Sequence, residues 1–164
     1  MIDLWVERVA GGQAVAHEWA NERVGSLGVD RDASPVSLSH HRDWLVVGVS
    51  TGEALGVDVL TVPPDADFVG DTALVLSAAE IASVRSSPPA RRGVVFAECW
   101  TRKEAYAKLR GTGLTSDLRD MTLTPAPDDG SVAFWTTQIE DALVAVATTG
   151  VRAPDVRLRS GAGH

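Results

Sequence analysis

Cysteine is nearly absent: Cys99 is the only one in 164 residues. With nothing to pair it, a disulfide-stapled secreted scaffold is excluded, and a reducing, cytoplasmic setting is the expectation. Long apolar runs are missing too. No stretch approaches the ~20 residues that a membrane-spanning helix needs, and Asp3 and Glu7 stand where a signal peptide would carry bases. A basic excess is also lacking. The 22 acids against 15 bases leave a net charge of -7, which argues against a nucleic-acid binder that relies on neutralising phosphates. The scarcest of the charged residues is lysine: 13 of the 15 bases are arginine, and the two lysines are Lys103 and Lys108. Abundant Ala, Val and Arg suggest a GC-rich coding sequence in which arginine replaces lysine wherever it can. Two lysines kept five residues apart then mark a place that needs an ammonium, against the alternative of chance clustering on a solvated helix face.

What is present suffices for one domain. Apolar residues make up 45% of the chain, and a chain of this length buries roughly 70% of its unfolded surface without staples or a structural metal. Residues 5 to 24 place Trp5, Val9, Gly12, Val15, Ala16, Trp19, Ala20 and Val24 at helical spacing, predicting an amphipathic helix ended by Gly25 and Gly28. A polar turn from Asp30 to Pro35 leads into a strand over Val36 to His40. Trp44 to Ser50 and Ala54 to Leu60 read as a hairpin about Thr51-Gly52-Glu53, stopped by Pro63-Pro64. Beyond a loop rich in Asp and Gly, Ser77-Ala78-Ala79-Glu80 is a capping box opening a helix to about Arg85, and Ser86 to Pro89 breaks it.

The strongest periodicity runs from about Arg91 to Arg110, through Val95, Phe96, Cys99, Trp100, Tyr106 and Leu109, and ends at Gly111-Thr112-Gly113. Strands follow at Met121 to Thr124, at Val132 to Gln138 after the Asp128-Asp129-Gly130 turn, and at Ala142 to Thr148. Val156 to Arg159 is an edge strand, and residues 160–164 are a frayed tail. Antiparallel hairpins with no βαβ rhythm and no glycine-rich phosphate loop give an α+β fold.

Three places could do chemistry. On the long helix Trp100, Glu104 and Lys108 fall on one stripe, with Lys103 on the adjoining face, so a carboxylate sits between two cations. An ordinary solvated Glu-Lys pair is the alternative. Asp58 interrupts the apolar run Leu55-Gly56-Val57-Asp58-Val59-Leu60, where an unpaired carboxylate is costly, unless that face is wet. Gly56 beside it points to close backbone approach by another element. His40, with His41 and Arg42 behind it, ends a strand; adjacent histidines face opposite ways if the strand continues and are not expected to share a metal. One His with an Arg nearby suits a phosphate or a sugar hydroxyl.

Taken in order, Ser39-His40, Gly56-Val57-Asp58, Trp100-Thr101-Arg102-Lys103-Glu104-Ala105-Tyr106-Ala107-Lys108 and Gly111-Thr112-Gly113-Leu114 resemble the signature of the 4'-phosphopantetheinyl transferases. The Ser-His element and the Trp-x-x-Lys-Glu form are closer to the surfactin-synthetase-activating type than to the smaller holo-acyl-carrier-protein synthases. The resemblance covers roughly residues 36 to 148. It implies a pseudo-dimer of two small antiparallel-sheet-plus-helix halves: one domain over 1–159, with a reduced first half over 1–62 and a second half over 63–159.

It also implies an enzyme that takes coenzyme A and Mg²⁺ and moves the 4'-phosphopantetheine arm to a serine of an apo acyl or peptidyl carrier protein, releasing adenosine 3',5'-bisphosphate. Such carriers serve polyketide, peptide and fatty-acid synthesis. On this resemblance Asp58 and Glu104 hold the metal, hard oxygens being what Mg²⁺ prefers. Glu104 deprotonates the attacking serine, directly or through a metal-bound water; Lys108 stabilises and protonates the departing phosphate; Lys103 and His40 contact phosphate.

Two departures qualify the match. The position two residues after Asp58, acidic in many surfactin-type enzymes, is Leu60, and the segment before Ser39-His40 is about half the usual length. The residues that would grip the 3'-phosphate of coenzyme A are then Arg42, by proximity to His40, or Arg8, by position. These departures leave a second reading, a non-catalytic relative that binds carrier protein or coenzyme A. Carriers are usually acidic around the modified serine, so a chain this acidic needs a local basic patch; Arg85, Arg91 and Arg92 about Pro88-Pro89 are the candidates. No nucleic-acid or membrane partner is expected.

Overall fold

The computed structural model describes residues 1–9, 12–26, 34–64, 75–113, 116–127 and 129–159. Leu114, Asp128, Gly28 and the predicted tail lie outside them, as do most of the Asp30–Pro35 turn and the Asp- and Gly-rich loop. The elements are β1 (Ile2–Arg8), α1 (Gly12–Ser26), β2 (Val36–His41), β3 (Trp44–Ser50), β4 (Leu55–Thr61), α2 (Ala78–Ser86), α3 (Pro89–Arg110), α4 (Ser116–Asp120), β5 (Ala133–Ile139), β6 (Ala142–Thr148) and β7 (Val156–Arg159). The α+β expectation is met.

Two sheets form, ordered β2-β3-β1-β7 and β4-β6-β5. In the first, β3 lies antiparallel to both β1 and β2, while β7 runs parallel to β1 from Ile2 opposite Val156. The second is antiparallel throughout. The sheets meet over a shared core: Ile2, Leu4, Trp44 and Val46 from the first, and Leu55, Val57, Val59, Ala142, Val144 and Val146 from the second. Trp5, Leu45, Val47 and Val49 cover the first sheet's other face together with Ala20 and Val24 of α1. On the far side of the second sheet, Ala105 and Tyr106 of α3 pack on Phe134, Ala145 and Ala147. The layers therefore run α1, sheet, sheet, α3.

Three expectations are corrected. The helix read over 5 to 24 is the strand β1 followed by α1. Because β1 is covered on both faces it shows no two-residue alternation, and Trp5 and Val9, four apart, imitate a helical stripe. The hairpin of residues 44–60 is not one: β3 and β4 belong to different sheets, and 51–54 turn the chain from one sheet to the other. Gly48 of β3 lies directly against Leu55 and Val57, so a Cβ there would approach them to 2.8 Å. Finally, Met121 to Thr124 is not a strand; the short helix α4 precedes it. The buried Leu123 donates its backbone N–H to Glu80 Oε1 at 2.9 Å instead of to a sheet neighbour.

The capping box is present as read: Glu80 N donates to Ser77 Oγ, and Glu80 Oε2 accepts from Ser77 N. α3 begins with Pro89 at a first-turn position, where its missing N–H costs nothing, and ends at Gly111 in the left-handed conformation with φ 66°.

Candidate functional site

Glycine brings the strand and the helix together. A Cβ on Gly56 would lie 1.9 Å from the Ala105 carbonyl oxygen and 2.6 Å from Leu109 N, and one on Gly93 would lie 2.3 Å from the Pro63 carbonyl oxygen. β4 at Gly56, and the chain just beyond it at Pro63, thus touch α3 backbone to backbone, the strand and the helix running in opposite directions. The close approach expected at Gly56 is this helix. It sets Asp58, two residues on and on the same face of β4, against Lys108, whose Nζ donates to Asp58 Oδ1 at 2.8 Å and to the Val57 carbonyl at 3.0 Å.

The other wall is β2, whose side chains of period two bind β4. Val57 N donates to Ser37 Oγ at 3.0 Å, Ser39 Oγ donates to Asp58 Oδ1 at 2.6 Å, and Thr61 N donates to His41 Nδ1 at 3.1 Å. The last bond assigns the acceptor role to Nδ1, so a neutral His41 carries its proton on Nε2. Between β2, β4 and α3 lies a cavity of about 500 Å³ lined by Ser39, His40, His41, Asp58, Leu60, Trp100, Glu104 and Lys108, among others. A smaller one of about 280 Å³, lined by Arg42, Thr61, Pro63 and Phe96, adjoins it through His41, Leu60 and Trp100.

Burial pushes the Asp58 carboxyl above the usual carboxylate range, against the opposing pull of Lys108, Ser39 and the Val59 N–H. Glu104 is also raised, by burial first and then by the Asp58 charge, with Lys108 opposing. Burial lowers His41, with Arg42 acting in the same sense. No hydrogen bond joins Glu104 to another described side chain, and the buried His40 Nε2 has no partner among the described residues.

Four of the expected residues therefore share one cavity: Asp58, Glu104, Lys108 and His40. Arg42 does not line it; it occupies the tight β2-β3 turn at φ 53° and borders the smaller cavity. Lys103 is brought elsewhere. It is fully buried and pairs with Glu80 at 2.9 Å, so no ligand phosphate in the cavity can reach it. Arg8 is engaged with Glu140 at 3.0 Å, with Asp141 at 2.7 Å and with the Trp44 ring at 4.5 Å. Ser39 and His41 were not singled out for roles of their own from the sequence. The available signal was the polar period-two set Ser37, Ser39 and His41 on a strand.

A hard divalent cation fits this donor set in a particular way. Asp58 Oδ1 is already engaged by Ser39 and Lys108, and Glu104 is raised by burial first and then by the Asp58 charge, both of which a cation would offset. Leu60 stands on the same wall, and no cluster of three or more His, Cys, Asp or Glu suited to a metal occurs among the described residues. Two carboxylates completed by substrate phosphate oxygens and water are the arrangement Mg²⁺ commonly takes, rather than an all-protein cage.

The chain is 40% identical over 94 residues to the L-aminoadipate-semialdehyde dehydrogenase-phosphopantetheinyl transferase of Eremothecium gossypii, covering 54% of this chain and 34% of that protein. It is 32% identical over 92 residues to a 4'-phosphopantetheinyl transferase of Bacillus pumilus, covering 56% and 38%. A putative 4'-phosphopantetheinyl transferase of Synechocystis is 28% identical over 116 residues, covering 65% and 47%. The chain spans less than half the length of these curated relatives. Residues 54–150, which include β4, α3 and the whole second sheet, match the family's sequence profile, and the chain belongs to the 4'-phosphopantetheinyl transferase superfamily.

Proposed function

We propose that this protein transfers the 4'-phosphopantetheine arm of coenzyme A to a serine hydroxyl of an apo carrier protein, with Mg²⁺, releasing adenosine 3',5'-bisphosphate. The observation that carries the reading is the convergence of Asp58, Glu104 and Lys108 on one cavity beside His40. Asp58 and Glu104 would hold the metal, which would supply charge neutralisation on the diphosphate.

The serine oxygen attacks the phosphorus that bears pantetheine, its bond to the bridging oxygen breaks, and the nucleotide leaves with that oxygen. Glu104, which lines the cavity and makes no hydrogen bond to another described side chain, accepts the serine proton. Of the three N–H groups of Lys108, Val57 and Asp58 take two. The third, with no partner among the described residues, is available to the leaving phosphate, which the ammonium stabilises and can protonate as no guanidinium would. The unpartnered His40 Nε2 is a phosphate contact. Arg42, on the adjoining cavity, is the 3'-phosphate contact. The surfactin-type assignment rests on Ser39-His40 lying at the cavity. We read β1 to β3 with α1, and the second sheet with α3, as the two halves of a pseudo-dimer; because β4 belongs to the second sheet, this moves the boundary expected after residue 62 back to the 51–54 turn.

Incubation with coenzyme A, Mg²⁺ and several apo carriers is expected to add the mass of the arm to a carrier, and Glu104→Ala or Asp58→Ala to abolish the gain. No gain on any carrier beside a working control enzyme would refute transfer. Leu60 favours a second reading, a non-catalytic relative that binds coenzyme A or carrier. Calorimetry separates the two, since only transfer requires Mg²⁺ for tight coenzyme A binding.

A further inference from the structure

Lys103 and Glu80 are both fully buried, and neither lines the reaction cavity. The Lys103 ammonium donates to Glu80 Oε2 at 2.9 Å, to the Val75 carbonyl at 2.9 Å and to the Leu118 carbonyl at 2.5 Å, which uses all three of its hydrogens. Glu80 also accepts from Ser77 N and from Leu123 N, each at 2.9 Å. One ion pair thus ties the start of α2, residue 75, α4 and the segment at Leu123 to a single point on α3. Stability alone is a poor reason for such a pair, because well-packed apolar residues often replace a buried ion pair without loss.

Direction is what it adds. The glycine contacts at Gly56 and Gly93 set how near α3 lies to the chain of β4 and Pro63, and a polar anchor away from that line adds a direction that distance alone does not fix. Lys103 lies about 100° around the helix from Glu104, held at three points away from the contact line. Glu104 and Lys108 share the stripe that faces the cavity. A rotation of about 10° moves a side chain about 6 Å from the axis by about 1 Å, and a misplacement of that size costs on the order of a hundredfold in rate.

We propose that the Lys103–Glu80 pair is a rotational lock on α3: both are positioning residues that aim Glu104 and Lys108 at Asp58 and the reacting phosphate. The inference rests on the transfer reading for its kinetic consequence and on the fold alone for its geometric one. In the double variant Glu80→Leu/Lys103→Met, which leaves no buried charge unpaired, kcat is expected to fall about tenfold or more with the KM for coenzyme A within about threefold. Its crystal structure is expected to lack the 2.8 Å contact between Lys108 Nζ and Asp58 Oδ1. A folded double variant that keeps native kcat and this contact overturns the lock.

If the double variant does not fold, Lys103→Arg carries the test. It keeps the charge on Glu80 but cannot set a planar fork on three acceptors arranged for an ammonium. The same fall in kcat at unchanged KM supports the lock, and native kcat overturns it. If the native protein itself transfers nothing, the transfer reading falls, and the Lys108–Asp58 contact in the variant crystal alone decides the lock.

Discussion

Glu104 holds a charge that its surroundings oppose. Burial and the Asp58 carboxylate both disfavour ionisation, and only Lys108 favours it. Asp58, more deeply buried, has Ser39, Lys108 and the Val59 N–H in compensation. In metal-free buffer Glu104→Gln is therefore expected to raise Tm by about 2–4 °C while abolishing transfer, an active-site group giving up stability for function. The pH dependence has a definite sign. An acid raised on folding binds its proton more tightly folded than unfolded, so its contribution to stability is greatest below the ordinary carboxylate range and declines as pH rises toward the folded value. The Tm difference between variant and native protein should be smallest below the ordinary carboxylate range and widen as pH rises through it; a difference independent of pH, or of opposite sign, would contradict the assignment. Cys99 illustrates the contrast with a group that has no chemistry to do. Buried, and with the Glu80 charge nearby, its thiol is pushed up to about 12 and stays protonated and inert.

At the scale of elements, the contact between β4 and α3 makes the site. Gly56→Ala must drive a methyl group into the Ala105 carbonyl, and neither backbone can yield locally. Overpacking of this kind costs about 1–3 kcal/mol or more, and it separates Asp58 from Lys108 at the same time. Thermal melts and transfer assays are expected to show a Tm several degrees lower and a kcat reduced beyond what the unfolded fraction explains; native behaviour in both would show that the contact has slack. Most elements were legible in the sequence because each carries its own local signal: the capping box of α2, the apolar period and glycine stop of α3, the aromatic and β-branched residues of β5 and the short apolar run of β6. β1 was not legible, since being sandwiched between α1 and the second sheet removed its alternation. Nor was the passage from β3 to β4, where Thr51-Gly52-Glu53 serves a corner between sheets as well as it would serve a hairpin.

The whole molecule combines an acidic balance with a cavity that, on the proposed function, receives polyanions. Its net charge of -7 repels an acidic carrier unless a basic patch faces it. Arg85 and Arg91 at the turn into α3 are exposed, whereas Arg92 is engaged, donating to the Ser87 and Arg85 carbonyls at the end of α2. Arg91→Ala is therefore expected to raise the KM for the carrier several-fold and leave that for coenzyme A unchanged. An unchanged carrier KM would remove the loop from the docking surface. The two sheets are joined across the molecule by Arg8 with Glu140 and Asp141, and by Trp44 Nε1 on Asp141. β7 returns the end of the described chain to the first sheet, with Arg159 on Asp3 at 2.8 Å.

The sequence by itself determined the chemistry on offer. An acid inside an apolar strand, an acid and an amine one turn apart on a helix, and a glycine where another backbone must approach are local facts, and their order along the chain carried the family resemblance. Tertiary structure alone decided which of them meet. Lys103 and Glu104 are neighbours in sequence with similar claims on a phosphate or a metal, yet a turn of about 100° per residue sends one into a buried ion pair with Glu80 and leaves the other facing the cavity. Direction of that kind depends on what packs against each side of the helix, and that is set by residues far away in the chain.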